Sequence, residues 1–149
     1  MILKKIATYS ILVMLSACSK PDFQDVAGNS IHVDDLEQKW LIVNYWATWC
    51  APCIAEIPEL NELAAEHTDT LVVVGVNFDQ PDFADLPGQV KKMKIEFPVL
   101  REDPSQKLGI KMPMVLPTTY IFAPGGELKK VLVGPQTKEG LLALTRDYP

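Results

Sequence analysis

Residues 40–53 read WLIVNYWATWCAPC, and this stretch decides the fold. Its first half, residues 40–46, is a dense apolar run of strand length, rich in β-branched and aromatic residues, which is typical of a buried central strand. The residues that follow, 52–67, place apolar side chains at helical spacing: Ile54, Ile57, Leu60, Leu63 and Ala64. The sequence therefore predicts a buried strand that passes through a short turn into an amphipathic helix.

Two cysteines, Cys50 and Cys53, stand at the junction of this strand and helix. A two-residue spacer on a first helical turn lets the two sulfurs meet, so the pair can cycle between dithiol and disulfide. The helix N-terminus presents free N–H groups and a positive dipole end, which favour a thiolate on the first cysteine. We therefore expect Cys50 to attack a substrate disulfide and Cys53 to resolve the mixed disulfide.

Two other interpretations of the cysteine pair are less favourable. A zinc site needs a second pair of ligands, and the two histidines, His32 and His67, are isolated and lack ligand spacing. A purely structural disulfide would stabilise the fold little, because closing so short a loop hardly constrains the unfolded chain. We expect no metal site, and the position of the pair between strand and helix favours redox chemistry.

Elsewhere the chain alternates between strand and helix patterns. In the first half we predict a small hairpin over residues 23–33, a buried strand over 70–78 and a loop over 79–87. A short helix over 88–94 and a short strand over 97–100 follow. Strands over 118–122 and 128–133 are joined by a turn, and a last helix is capped by Thr137 and reaches about Asp147. Strands interleaved with helices predict an α/β fold around a central mixed sheet.

Length and charge restrict the function further. The 149 residues make about one domain, which can bury a sizeable core. The 14 basic and 19 acidic residues give a net charge of -5. A chain of this balance has no basic patch for nucleic acid, so we expect no nucleic-acid partner.

The N-terminus has the pattern of an export signal. Lys4 and Lys5 precede an apolar run of ten residues, 6–15, and then the small residues Ser16 and Ala17. A ten-residue helix is about 15 Å long, too short to cross a hydrocarbon core of ~30 Å. The next residue is Cys18, so the segment resembles the bacterial lipobox, whose cysteine is lipidated. We expect a lipoprotein signal peptide over 1–17, an anchor at Cys18, a tether over 18–22 and one domain over 23–149.

Residues 43–53, VNYWATWCAPC, with Glu56, Pro58 and Leu60 after them, resemble the thioredoxin-like proteins of the TlpA/ResA type. Residues 115–122, VLPTTYIF, are similar to the cis-proline segment of that family. The resemblance implies a thioredoxin-like fold: a central mixed sheet flanked by helices, an N-terminal β-hairpin and an insertion after the second core strand.

The resemblance also implies a role for several residues. Pro117 would be a cis-proline facing the cysteine pair, and Leu116 would offer backbone hydrogen bonds to a bound peptide. Glu56 lies one helical turn beyond Cys53 on the same face, where a family carboxylate serves proton transfer; otherwise it is a solvated glutamate. Trp49 would shape the surface beside Cys50. No cofactor is expected apart from the redox-active disulfide.

Three sequence positions bear on the direction and the context of the reaction. Oxidases and isomerases with this fold usually carry a histidine before the second cysteine, and Pro52 stands there, which favours a reductase. The residue after the predicted cis-proline is Thr118, whereas proteins dedicated to cytochrome c maturation typically carry an acidic residue. Ala47 replaces the threonine of a peroxiredoxin, which argues against a peroxidase.

We therefore expect a monomeric thiol-disulfide oxidoreductase, lipid-anchored to a membrane in the bacterial cell envelope with its domain on the periplasmic or extracytoplasmic side. It would reduce disulfides of exported proteins, with electrons from a membrane donor of the DsbD or CcdA type. Two alternatives stay open: a thiol reductase of cytochrome c maturation, and a non-enzymatic envelope lipoprotein that chaperones or binds a partner.

Overall fold

Strands and helices alternate along residues 22–36 and 38–146, the part of the chain that this computed structural model describes. The predicted signal peptide, Cys18, the tether up to residue 21 and Asp147 lie outside the described residues. The elements are β1 (Phe23–Gln24), β2 (Ser30–Ile31), a 3-10 turn (Asp34–Leu36), β3 (Trp40–Trp46), α1 (Ala51–Glu66), β4 (Leu71–Asn77), α2 (Leu86–Met93), β5 (Thr118–Phe122), β6 (Leu128–Val133) and α3 (Lys138–Arg146).

A mixed sheet with strand order β4-β3-β5-β6 forms the centre of the described fold. β3 runs parallel to β4 and antiparallel to β5, with Tyr45 opposite Thr118 and Trp46 opposite Asn77. β1 and β2 form a separate antiparallel hairpin, and the segment with α2 is inserted between β4 and β5. This arrangement confirms the predicted mixed sheet, N-terminal hairpin and insertion.

Two stretches differ from the prediction. α2 begins at Leu86 rather than at residue 88, because Pro87 falls in the first helical turn, where a missing N–H had no helical partner. Residues 97–100 form no strand and make only single bridges, from Val99 to Gly75 and from Leu100 to Asp25. Pro98 lacks the N–H that a continuous ladder requires, although its carbonyl accepts from the Gly75 amide at 2.8 Å.

The sheet has an apolar core on each face, because every residue of β3 is buried. On one face α1 and α3 cover Ile42 and Ile121, and this core also contains Cys50 and Cys53. On the other face the hairpin and the segment before β5 cover Val43, Tyr45, Val74 and Tyr120. The strand before the cysteine pair is thus fixed from both sides.

The segment that leads into β5 is held to the sheet by two tyrosines. The Tyr45 hydroxyl donates to Asp103 Oδ1 at 2.6 Å, and the Tyr120 hydroxyl donates to the Lys111 carbonyl at 2.7 Å. Burial raises the pKa of Tyr45, and the nearby Asp103 carboxylate adds to the effect. Both hydroxyls therefore stay protonated and hold this segment in place.

None of the helices within 22–36 and 38–146 has the length and apolarity needed to span a membrane.

Candidate active site

The two cysteines form a disulfide at the start of α1, with their Cα atoms 5.3 Å apart. Cys50 is the N-cap residue in extended conformation, and its Sγ accepts a hydrogen bond from the Cys53 N–H at 3.2 Å. Ala51 and Pro52 make the first helical turn and are exposed. Cys50 retains 3% exposure and Cys53 none, so the first sulfur is the one that a substrate can approach.

Trp49 stands beside the disulfide with 65% of its surface exposed. Its indole N–H donates to Asp79 Oδ2 at 2.9 Å, and its ring meets Phe78 edge-on at 6.5 Å between centroids. Asp79 follows β4, and its own N–H donates to the Asn77 side-chain oxygen. The end of β4 therefore fixes the orientation of the exposed tryptophan, a contact that no local sequence pattern indicates.

The Leu116–Pro117 peptide bond is cis, as the family resemblance implies. Pro117 is buried and its carbonyl accepts from the Gly134 N–H at 2.9 Å. The bond lies at the same end of the sheet as the disulfide, because β5 starts beside Tyr45, near the end of β3. Leu116 packs partly against the core that contains both cysteines.

The residues before the cis bond expose an apolar surface. Met114 is 96% and Val115 is 56% exposed, although both are large apolar side chains. The Thr118 hydroxyl donates to the Val115 carbonyl at 2.7 Å and so fixes the backbone of this segment. Exposed apolar side chains at one place often mark an interaction site, and here they lie next to the cis-proline.

Glu56 is only 1% exposed, so it is not the solvated glutamate of the alternative interpretation. Its Oε1 accepts from Asn44 Nδ2 at 2.8 Å and its Oε2 from the Gln136 backbone N–H at 2.9 Å. Burial raises the pKa of Glu56 to about 6, and the two hydrogen bonds act in the opposite direction. Since Cys53 precedes Glu56 by three residues on the same helix, the carboxyl lies one turn beneath the second sulfur.

The sequence does not predict the hydrogen-bonded group around this carboxyl, in which Asn44 and Gln136 contact Glu56 and Thr119 contacts Asn44. Asn44 could be noticed, because it is the polar member of an otherwise apolar strand. Thr119 Oγ1 accepts from Asn44 Nδ2 at 3.0 Å, and Gln136 lies 80 positions from Glu56 in the sequence. No local pattern links residues at such separations, so only the folded chain brings them together.

The remaining predicted site features fall into two groups. Cys18 lies outside the described residues, so the structure says nothing about an anchor. Between residues 22 and 146, apart from the side chains of Asp35 and Glu37, no group of three or more His, Cys, Asp or Glu is placed to hold a metal ion.

Comparison with known proteins agrees with this site. The AhpC/TSA family matches residues 17–131. The chain is similar to the thiol-disulfide oxidoreductase ResA of Bacillus cereus, with 31% identity over 118 residues that cover 78% of this chain and 68% of that protein. It is also similar to the thioredoxin-like protein YneN of Bacillus subtilis, with 34% identity over 128 residues, 80% of this chain and 72% of that protein.

Among solved structures, the chain resembles the exposed lipoprotein thioredoxin Etrx1 of Streptococcus pneumoniae, with a TM-score of 0.72, 26% identity and coverage of 85% of this chain and 97% of that one. A DsbF homologue from Corynebacterium diphtheriae matches with a TM-score of 0.69 and 25% identity over 82% of this chain and 80% of the other. These neighbours confirm the thioredoxin-like fold. The chain therefore belongs to the AhpC/TSA family and is a thiol-disulfide oxidoreductase of the ResA type that carries the Cys50–Cys53 pair.

Proposed function

We propose that this protein reduces disulfide bonds of exported proteins on the extracytoplasmic side of a bacterial membrane, to which a lipid on Cys18 tethers it. The observation that carries the direction of the reaction is the environment of Cys50 Sγ. It accepts one backbone N–H, from Cys53, and the spacer residues Ala51 and Pro52 bring no cationic side chain. A thiolate with few stabilising partners gives its electrons up readily, which favours a reductant.

The reaction begins with the reduced pair. The Cys50 thiolate attacks one sulfur of the substrate disulfide, a mixed disulfide forms, and the other substrate sulfur leaves as a thiolate. The Cys53 thiol then passes its proton to the Glu56 carboxylate and attacks Cys50 Sγ, which releases the second substrate thiolate. The enzyme ends as the disulfide, and the two substrate thiolates take up two protons. One is the Cys53 proton, released by Glu56, and the other comes from the solvent.

Glu56 suits the role of proton acceptor because of its pKa. At about 6 this pKa lies closer to the working pH than that of an exposed carboxyl, so the group can take a proton and return it. Its burial prevents direct exchange with bulk water at the moment of transfer. We therefore propose Glu56 as the base that activates the resolving thiol.

The substrate surface would be formed by Trp49 on one side and by the cis-proline segment on the other. Leu116 would offer backbone hydrogen bonds to an extended peptide, while Pro117 would limit how closely that peptide approaches. The exposed side chains of Met114 and Val115 add apolar contact area. Such a surface fits a protein disulfide in an extended, partly apolar segment better than a small polar disulfide such as glutathione.

Membrane attachment is proposed from the N-terminal sequence. Residues 1–18 have the order of a lipoprotein signal, and the solved neighbour from Streptococcus pneumoniae is called an exposed lipoprotein thioredoxin. A Cys18→Ser variant should lose its processing or leave the membrane fraction. Processed Cys18→Ser protein that still fractionates with membranes would contradict the anchor.

Electrons would come from a membrane dithiol donor of the DsbD or CcdA type.

Trapping tests the reductase activity itself. In Cys53→Ser the mixed disulfide on Cys50 cannot be resolved, so substrates should accumulate as covalent adducts that mass spectrometry identifies. Cys50→Ser is the matched control and should trap nothing. A purified full chain that neither traps disulfide proteins nor reduces insulin would contradict the proposal, and unchanged partner binding by Cys50→Ser would favour a chaperone instead.

A further inference from the structure

The buried side-chain oxygen of Asn44 has no hydrogen-bond partner among the described residues. Asn44 lies in β3, is fully buried, and uses both hydrogens of its side-chain amide. One hydrogen goes to Glu56 Oε1 at 2.8 Å and the other to Thr119 Oγ1 at 3.0 Å. A buried polar atom without a hydrogen-bond partner lowers the stability of the fold, so the unpaired Asn44 oxygen needs a physical explanation.

The present orientation of the amide fits only the ionised state of Glu56. A carboxylate accepts hydrogen bonds and donates none, and here it faces two donors, Asn44 Nδ2 and the Gln136 N–H. A protonated Glu56 carries an O–H that needs an acceptor. The Gln136 amide belongs to the backbone and cannot become one, whereas the Asn44 side chain can turn over and present Oδ1.

We propose that Asn44 and Thr119 form a two-position hydrogen-bond switch in which the Asn44 amide turns over whenever Glu56 gains or loses a proton. In the turned position Oδ1 accepts from the Glu56 O–H and from the Thr119 hydroxyl, which rotates to donate. In either position one end of the amide has no partner, and the protonation state of Glu56 decides which end that is. Asn44 and Thr119 are positioning residues that act through Glu56.

This inference rests on the proposed role of Glu56 as proton acceptor for Cys53. The proton that leaves the Cys53 thiol would sit on Glu56 Oε1 and be held there by Asn44 Oδ1. The amide would return to its first position when Glu56 releases the proton. Both protonation states would then be hydrogen-bonded inside a closed core, so the transfer needs no opening of the fold.

No charged side chain among the described residues forms a hydrogen bond or ion pair with Glu56 that could take over the role of Asn44. From β3, β5 and the segment before α3 it is faced by the uncharged Asn44, Thr119 and the Gln136 amide. On its own helix the next acidic residue is Glu59, which accepts from the Lys138 backbone N–H at 2.9 Å. The Lys138 ammonium points further along α1, to Glu62 and Glu66.

Thr119→Val tests the hydroxyl, and Thr118→Val is a matched control. The two threonines are neighbours in β5, both are buried, and they point to opposite faces of the sheet. Without the Thr119 hydroxyl, one hydrogen of the Asn44 amide loses its partner when Glu56 is ionised. When Glu56 is protonated, the turned Asn44 oxygen loses the Thr119 hydroxyl but still accepts from the Glu56 O–H. The Glu56 midpoint should therefore rise by about one pH unit in Thr119→Val, a tenfold change, because an unpaired donor costs more than a half-satisfied carbonyl.

The midpoint is read from the side-chain carboxyl carbon of Glu56 by NMR in the oxidised full chain. Thr118→Val should keep the wild-type midpoint, and Thr119→Ser, which retains the hydroxyl, should restore it. Equal midpoints in Thr119→Val and Thr118→Val would overturn the inference. A raised midpoint in Thr119→Ser would do so as well, because it would assign the effect to packing.

A second measurement needs no variant and so does not depend on whether Thr119→Val folds. The side-chain amide nitrogen and hydrogens of Asn44 should change their chemical shifts with the same midpoint as Glu56. Asn44 signals that stay constant while Glu56 titrates would show that the amide does not turn over. Both measurements use oxidised protein without substrate, so a failed insulin or trapping assay would contradict the proposed function and leave this test intact.

Discussion

The backbone N–H of Cys53 points at the Sγ of Cys50 from 3.2 Å, so the first cysteine caps the helix that holds the second. In the oxidised protein this contact binds a neutral sulfur. After reduction the same N–H and the positive helix end act on a thiolate, which they stabilise. Cys53 has no corresponding donor in the described structure and lies wholly inside the core.

The reduced protein should therefore react first at Cys50. Its pKa should lie below the ~8.5 of a free cysteine, and its residual exposure admits a small reagent. Iodoacetamide at limiting concentration, followed by peptide mass spectrometry, should find the label on Cys50. Preferential labelling of Cys53 would reverse the assignment of nucleophile and resolving thiol.

Glu56 should make the stability of the protein depend on pH. The folded pKa of about 6 exceeds the reference value of 4.5, so the folded state binds more protons than the unfolded state between these values. The contribution of Glu56 to stability is then greatest below pH 4.5 and is lost as the pH rises through 6, by about 2 kcal/mol in total. Urea unfolding of the oxidised protein at several pH values should show this loss.

Glu56→Gln is the control for that measurement, because it keeps the shape and removes the titration. Wild type should lose stability relative to Glu56→Gln between pH 4.5 and 7, whatever the offset between the two proteins. A constant difference across this range would mean that the Glu56 pKa is not raised.

Asp79 should control the exposed tryptophan beside the disulfide. In Asp79→Ala the Trp49 indole loses its acceptor and becomes mobile. We expect a weaker substrate interaction, seen as a higher KM for a protein disulfide, with a stability change of less than about 0.5 kcal/mol because the contact is exposed. Asp82→Ala, in the same loop, is the control and should keep the wild-type KM. A wild-type KM in Asp79→Ala would show that the orientation of Trp49 does not affect substrate binding.

Gly75 in β4 should not tolerate a side chain. A Cβ there would lie 2.9 Å from Trp46 Nε1 and 3.0 Å from the Phe97 ring. Gly75→Ala should therefore lower the free energy of unfolding by about 1–3 kcal/mol through overpacking. Gly88→Ala is the matched control, since nothing lies within 4 Å of its Cβ position and Gly88 is in α2; it should be neutral or stabilising.

Much of the fold could be predicted because its strands carry strong local signals. The bounds of β3 follow from its apolar run, those of β6 follow from the turn at 124–126, and α1 follows from helical spacing after a cysteine pair. The stretch 97–100 differs from its prediction, because its apolar residues suit a strand while Pro98 restricts it to isolated bridges. Local composition does not show which distant segment will form backbone hydrogen bonds with such a stretch.

The site was predictable only where its residues are close in sequence. Cys50, Cys53 and Glu56 share one helix, so their common face follows from helical geometry. Thr119 joins Asn44 only through the pairing of β3 with β5, and Gln136 reaches Glu56 because α3 packs beside α1. The burial of Glu56, which sets its pKa, is likewise a property of the whole fold.

The reduction potential decides whether the protein donates or accepts electrons. Known couples on this fold range from about -270 mV in thioredoxin to about -120 mV in DsbA, where a stabilised thiolate makes the disulfide oxidising. Ala51 and Pro52 add no charge near Cys50, so we expect a potential more negative than about -200 mV. Equilibration with glutathione or dithiothreitol buffers, read by Trp49 fluorescence, measures it, and a value near that of DsbA would contradict the reductase.

Pro52→His should move the potential in the oxidising direction, because an imidazolium beside the Cys50 thiolate stabilises the reduced state. A shift of at least about 30 mV corresponds to ~1.4 kcal/mol for this two-electron couple. Pro52→Gln is the control, since it also removes the proline ring but adds no charge, and it should shift the potential less. The excess shift in Pro52→His should shrink as the pH rises above the imidazole pKa, whereas equal shifts in the two variants would assign the effect to the lost proline and not to charge.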